Sequence, residues 1–161
     1  MNSMKVGGIN VLPSKDNSPS YIPYNDRFIM GGNGIPYGNV LRGYDDNRVG
    51  PLTTSGNPIG GNTLVKFSTE FRVHFAENPV VYGMIFAEMG NVWSSTDLME
   101  RLSLPRSGPL DLKRSVGVGV RFFMPMIGML GFDFARGFDR VDNNGKLKPE
   151  WKTTLTFGQQ F

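Results

Sequence analysis

At 161 residues the chain has the length of one ordinary domain. A formal charge of +3 is too small and too scattered to argue for a nucleic-acid partner, and the absence of cysteine excludes a disulfide framework and a thiolate metal site. A hydrophobic fraction of 39% beside 21 Gly and 12 Phe suits strands with one wet face better than a helical core.

The first residues, Met1-Asn2-Ser3-Met4-Lys5, lead into Val-Gly-Gly-Ile-Asn and lack the apolar centre of a signal peptide. An extended stretch is expected over Met4–Leu12, and a second, weaker one over Arg27–Met30. The rest of residues 1–62 is rich in Gly, Asn, Pro and Ser, with Gly31-Gly32-Asn33-Gly34 and Gly60-Gly61-Asn62 as punctuation. A loop of that length calls for a function or for disorder.

From Asn62 the texture changes to period two. Val65, Phe67, Thr69, Phe71, Val73 and Phe75 alternate with Lys66, Ser68, Glu70, Arg72 and His74, which predicts a strand with one apolar and one charged face. Ala76-Glu77-Asn78-Pro79 is a short turn, and Val80–Met89 a second strand in which Tyr82, Met84 and Phe86 share a face with Glu88. Asn91–Lys113 reads as a polar loop with room for a helical turn near Thr96–Leu102. Arg114–Phe123 is a third strand, with Val116, Val118, Val120 and Phe122 opposite Ser115, Gly117, Gly119 and Arg121. After a tight turn at Met124–Gly128, Met129–Phe138 sets Leu130, Phe132 and Phe134 against Gly131, Asp133 and Ala135. A charged loop over Asp139–Glu150 precedes a fifth strand, Trp151–Phe161, with Trp151, Leu155, Phe157 and Phe161 on one face.

Short turns thus alternate with long loops, as the periplasmic and outer connections of outer-membrane barrels do. No apolar run approaches the roughly 20 residues of a membrane helix, but barrel strands alternate and escape that test. Patterning alone leaves a soluble β-sandwich or barrel open.

Five segments carry a family resemblance. They are Leu41-Arg42-Gly43-Tyr44, after Gly31-Gly32 and before Val49-Gly50-Pro51; Gly60-Gly61-Asn62; Phe86-Ala87-Glu88-Met89-Gly90-Asn91-Val92-Trp93, as a strand end; the run from Arg114 to Phe122 with Pro125 and Leu130-Gly131-Phe132-Asp133; and Phe157-Gly158-Gln159-Gln160-Phe161. Together, and in this order, they resemble the C-terminal barrel segment of the Omp85 superfamily, of the BamA-like type and in its Bacteroidota-like form. The resemblance implies an all-β fold, the last strands of an antiparallel transmembrane β-barrel with a long loop folded into its lumen. It divides the chain into residues 1–12, the end of a preceding strand; 13–62, the long outer loop; and 63–161, five closing strands.

The resemblance also assigns roles. Arg42, Gly43 and Tyr44 form a loop lock whose Arg pairs with acids on the inner wall, here Glu70 and Glu88. Many family members carry Asp at the position of Glu88, which makes Glu70 the firmer partner of the two. Glu70 also falls on the polar face by alternation, and Asp133 is a candidate for the same lumen network. Phe157, Gly158 and Phe161 belong to the closing strand, which the family uses as an insertion signal and as one side of a seam. Gly158 either loosens that edge or makes room for an aromatic neighbour.

Catalytic, cofactor and metal roles are not expected. His74 is the single histidine, on the wet face, and no serine has a base arranged beside it. Gly31-Gly32-Asn33-Gly34 is followed by no Lys-Ser/Thr and is no phosphate loop.

The resemblance points to part of a bacterial outer-membrane insertase. Its partners would be outer-membrane lipids, unfolded outer-membrane protein clients, accessory lipoproteins, and the N-terminal barrel strands and POTRA domains that this chain lacks; nucleic acid is not among them. A secretion pore of the same superfamily is the alternative, and a soluble β-rich binding domain a third. Several POTRA repeats upstream would favour insertion, and two would favour secretion. The family implies roughly sixteen strands, and even small barrels use about eight, so the chain is expected to be a fragment of a longer product or one segment of an assembly.

Overall fold

Period-two alternation produces a single antiparallel sheet in the computed structural model, which describes residues 1–10, 22–34, 38–94, 108, 111–125, 128–141 and 146–157. Its strands are β1 (Asn2–Gly8), β2 (Thr63–Glu77), β3 (Val80–Trp93), β4 (Lys113–Met124), β5 (Gly128–Gly137) and β6 (Trp151–Phe157). Each pairs with its sequence neighbours, in the order β1-β2-β3-β4-β5-β6. The expected all-β architecture is present as an open six-stranded sheet. Among the described residues no helix is long and apolar enough to cross a membrane.

The boundaries differ from the sequence reading where pairing, not composition, decides them. The strand expected over Met4–Leu12 instead covers Asn2–Gly8, because its register with β2 runs from Asn2↔Thr69 to Gly8↔Thr63. The second strand of the alternating region does not stop at Met89. It continues to Trp93, since Leu64 pairs with Val92 and Thr63 with Trp93, so Asn91–Trp93 belong to the sheet and not to a loop. Arg27–Met30 makes only isolated bridges, Phe28 to Gly61 and Met30 to Asn39 and Val49. The helical turn expected near Thr96–Leu102 lies outside the described residues, as do Gly158 and Phe161.

The two faces are inverted relative to a soluble sheet. Phe71, Ile85, Val118 and Phe134 form one cross-strand row and all are exposed, Phe71 at 68%. Phe75, Val116, Val120, Phe132, Trp151 and Leu155 are exposed on the same side. The buried polar residues Ser68, Glu88, Ser115, Asp133 and Thr154 lie on the concave side.

Small residues on that concave side make room for the long loop. Gly117 lies beneath Phe86, and an added Cβ would stand 2.5 Å from the ring. The loop is itself folded: Met30, Leu41, Tyr44 and Val49 pack with Leu64 of β2 and Val92 of β3 in one apolar cluster. Burying these side chains at the end of the sheet fixes the path by which Arg42 enters the concavity.

Candidate functional site

Arg42 follows the buried Leu41 and points into the concavity, where its side chain is 6% exposed. Its backbone N–H donates to Glu88 Oε2 at 2.9 Å, and its Nη2 donates to Glu88 Oε1 at 2.8 Å and to Glu70 Oε1 at 2.7 Å. Nη1 reaches Met84 Sδ at 3.5 Å and lies 3.9 Å from Asp133 Oδ1. The guanidinium carbon sits 3.5 Å above the centroid of the Phe86 ring, a cation–π contact out of reach of bulk water.

Each of the three acids has a second cation of its own. Arg72 holds Glu70 Oε2 at 2.6 Å, Lys66 lies 3.1 Å from Glu88 Oε1, and Arg121 grips Asp133 with two bonds of 2.8 and 2.7 Å. Ser68 also donates to Glu88 Oε1 at 3.2 Å. Buried charge is tolerable only when paired and hydrogen-bonded, and this network meets that condition for all three carboxylates. The pairing follows from register. Ser68, Glu88 and Ser115 share one inward row, Glu70, Phe86 and Gly117 the next, and Arg72, Met84, Gly119 and Asp133 the one after.

The three residues after Arg42 each hold a different element. Gly43 has φ +86, and an added Cβ would stand 2.8 Å from the Gly137 nitrogen, so its backbone lies directly on the end of β5. Tyr44 is buried; its hydroxyl donates to the Arg114 carbonyl at 2.8 Å and accepts from the Asp139 N–H at 3.3 Å. Burial pushes the Tyr44 phenol up, which keeps the proton needed for that donation. Asp45 pairs with Lys152 of β6 and with Arg140, whose Nη2 lies 2.8 Å away. Burial opposes the Asp45 charge, but Lys152 and Arg140 outweigh it and hold the carboxyl below its ordinary range. The hydrogen bond from Arg114 likewise holds Asp139 down.

The structure therefore brings Arg42, Glu70, Glu88 and Asp133 into one cluster and sets Gly43 and Tyr44 against the neighbouring strands. Glu88, which the sequence made the less firm partner, is the acid that Arg42 engages more extensively. Its carboxylate meets both the guanidinium and the loop backbone, and it is 1% exposed against 14% for Glu70. Phe157 ends β6, where its backbone pairs with Leu130. Lys66, Arg72 and Arg121 were visible as polar-face residues but not as partners. Phe86 had one sequence signal, an aromatic on the same face as Glu88. Asp45, Lys152 and Arg140 had none beyond charge.

The concavity beside the cluster is a cavity of about 750 Å³ lined by Lys5, Lys66, Arg72, Tyr82, Arg121 and Thr156 among others.

The Omp85 superfamily domain matches residues 5–161. No curated protein matches the chain in sequence. Among solved structures, the chain is similar to BamA from Haemophilus ducreyi lacking POTRA domains 1-3, with a TM-score of 0.64 and 18% identity over 96% of this chain. The chain spans 34% of that protein's length, and the likeness is one of fold.

Proposed function

The chain belongs to the Omp85 superfamily, and from that premise we propose that it supplies the loop lock and closing strand of an outer-membrane assembly factor, which folds and inserts other β-barrels. The observation that carries this reading is the inserted loop: Arg42 is held by two inner-wall acids while Gly43 and Tyr44 dock on β5 and β4. A loop tied to β2, β3, β4 and β5 through these residues, and to β6 through Asp45 and Lys152, keeps one wall of a barrel in shape. The exposed apolar face supports a location in the outer membrane. A patch this continuous on a water-soluble surface would be an aggregation hazard, whereas lipid covers it.

No bond chemistry is required of such a protein. Its work is to offer backbone hydrogen-bonding groups at a strand edge to an incoming strand, by β-augmentation. Its partners on this reading are outer-membrane lipids, unfolded outer-membrane proteins and the accessory lipoproteins of an assembly complex.

The test uses the whole protein as its gene encodes it, reconstituted in phospholipid vesicles, with an unfolded small outer-membrane barrel as client. Folding of the client, read as its heat-modifiable gel mobility, should run faster than in protein-free vesicles, and Arg42→Ala should slow it. Passage of a polypeptide through the vesicle wall with no gain in client folding would replace this reading with that of a secretion pore.

A further inference from the structure

The outward face of the sheet changes character along its strands. Phe71, Ile85, Val118 and Phe134 form one row, and Val73, Val120, Phe132 and Leu155 lie in the row on its short-turn side; all are exposed and none is charged. On the long-loop side the next row is Ala87, Val116, Arg136 and Trp151, and the row after it holds Met89 and Arg114. Arg136 stands between the buried Ala135 and Gly137 of β5, which face the concavity, so its side chain leaves on the outward face. Among the described residues no carboxylate pairs with it, and its Nε is buried without a hydrogen-bond partner. Arg114, its diagonal neighbour on β4, has a side chain 63% exposed and is held to Asp139 through Nε and Nη2.

An arginine keeps its charge under all ordinary conditions, and donors left unmet beside lipid destabilise the fold. The group that satisfies Arg136 is therefore an anion, and its surroundings say where that anion comes from. Val116 and Trp151 flank Arg136 in register, and the Trp151 ring stacks on Phe134 with centroids 4.6 Å apart, the aromatic belt of a lipid–water boundary. Headgroup phosphates lie at that level, and their oxygens match the guanidinium fork. We propose that Arg136 binds the phosphate of a membrane lipid headgroup, with Arg114 beside it and the acyl chains lying on Val116, Phe134 and the apolar rows below. Arg136 has a paired strand on each side, so the site does not depend on what lies beyond β1 or β6. It rests on the outer-membrane part of the proposed function and not on client folding.

The experiment uses the whole encoded protein, ¹⁵N-labelled at arginine, in dodecyl maltoside micelles, which carry no phosphate. Phosphatidylglycerol is titrated in while the arginine Nε–H resonances are followed, and Arg136→Gln identifies the one that belongs to Arg136. That resonance should move in the unsubstituted protein. Native mass spectrometry should find the lipid bound about tenfold more weakly to Arg136→Gln, the scale of one hydrogen bond to a charged group. Lys148→Gln removes a cation from the adjoining loop, where Lys148 pairs with Glu150, and should bind the lipid as the parent does. An unmoved Arg136 resonance overturns the site. Equal losses in the two variants overturn it in favour of a general attraction to basic groups. Displacement of the lipid by an equal concentration of inorganic phosphate overturns the lipid as its occupant. If the protein accelerates no client folding, the assembly-factor reading fails, and the Arg136 resonance still decides the site.

Discussion

Gly43 of the long loop and Gly137 at the end of β5 face each other with bare backbone. A Cβ on Gly137 would stand 2.7 Å from the Gly43 oxygen, and one on Gly43 would stand 2.8 Å from the Gly137 nitrogen. Neither neighbour is the far end of a flexible side chain. The loop lies against the sheet as closely as it does because both residues lack side chains. Gly43→Ala should destabilise the protein by at least the left-handed backbone term of about 1–2 kcal/mol, and Gly137→Ala should also lower stability. The unfolding temperature in detergent micelles reads both. A Gly43→Ala protein that melts with the parent would show that the contact is not needed.

The ion network predicts an asymmetry between its members. Glu88→Ala takes from Lys66 the acid it pairs with and leaves Arg42 with Glu70 and, at 3.9 Å, Asp133, a buried excess of positive charge that should cost about 3–5 kcal/mol. Arg42→Ala leaves Glu70, Glu88 and Asp133 each with its own cation, and should cost less, about 1–3 kcal/mol. Denaturant unfolding of the two variants side by side tests the order. Equal or reversed losses would mean that Arg72, Lys66 and Arg121 do not compensate.

The Phe86 ring carries the Arg42 guanidinium on its face. Phe86→Leu keeps most of the apolar volume and removes the ring, so it should cost on the order of 1–2 kcal/mol. Combined with Arg42→Met the penalty should shrink, because the cation has gone. A double-mutant cycle that returns no coupling would sink the assignment.

Acid should loosen the loop's hold on β6. Asp45 has a depressed carboxyl, so its contribution is present above the ordinary carboxylate value of about 3.9 and fades as pH falls through its lower folded value. Asp45→Asn should therefore lose stability at neutral pH and flatten this limb of the pH profile. The measurement is thermal unfolding between neutral pH and about pH 3, and an unchanged slope in the variant would count against the pairing with Lys152 and Arg140.

The outer face should not tolerate charge. Ile85 lies in the middle of the exposed apolar row and is 62% exposed, so a water-soluble protein would accept Ile85→Arg at little cost. In lipid the same change should cost about 2–4 kcal/mol. Folding efficiency in phospholipid vesicles separates the two settings.

Much of the fold was legible because period two is a local property. The runs Phe67 to Phe75 and Val116 to Phe122 alternate strictly, and they present their apolar residues outward in the structure as the alternation requires. Strand ends were less legible. Asn91–Trp93 belong to a segment of the resemblance but lie beyond the alternating run that ends at Met89, and they are strand because Thr63 and Leu64 of β2 stand opposite.

Within the candidate site, the sequence by itself determined the ingredients: the Arg42-Gly43-Tyr44 run in a glycine-rich loop, Glu70 on a polar face, and Asp133 among small residues. Tertiary structure alone decided which groups meet. Arg42 and Glu88 are 46 residues apart, Tyr44 and Arg114 70, and Asn33 and Leu155 122. Such contacts depend on strand register and on the path of the loop over its apolar cluster, and neither is encoded by any short window. The preference for Glu88 over Glu70 arises there, from the register position that brings the Glu88 carboxylate to both the guanidinium and the backbone of a loop that packing had already placed.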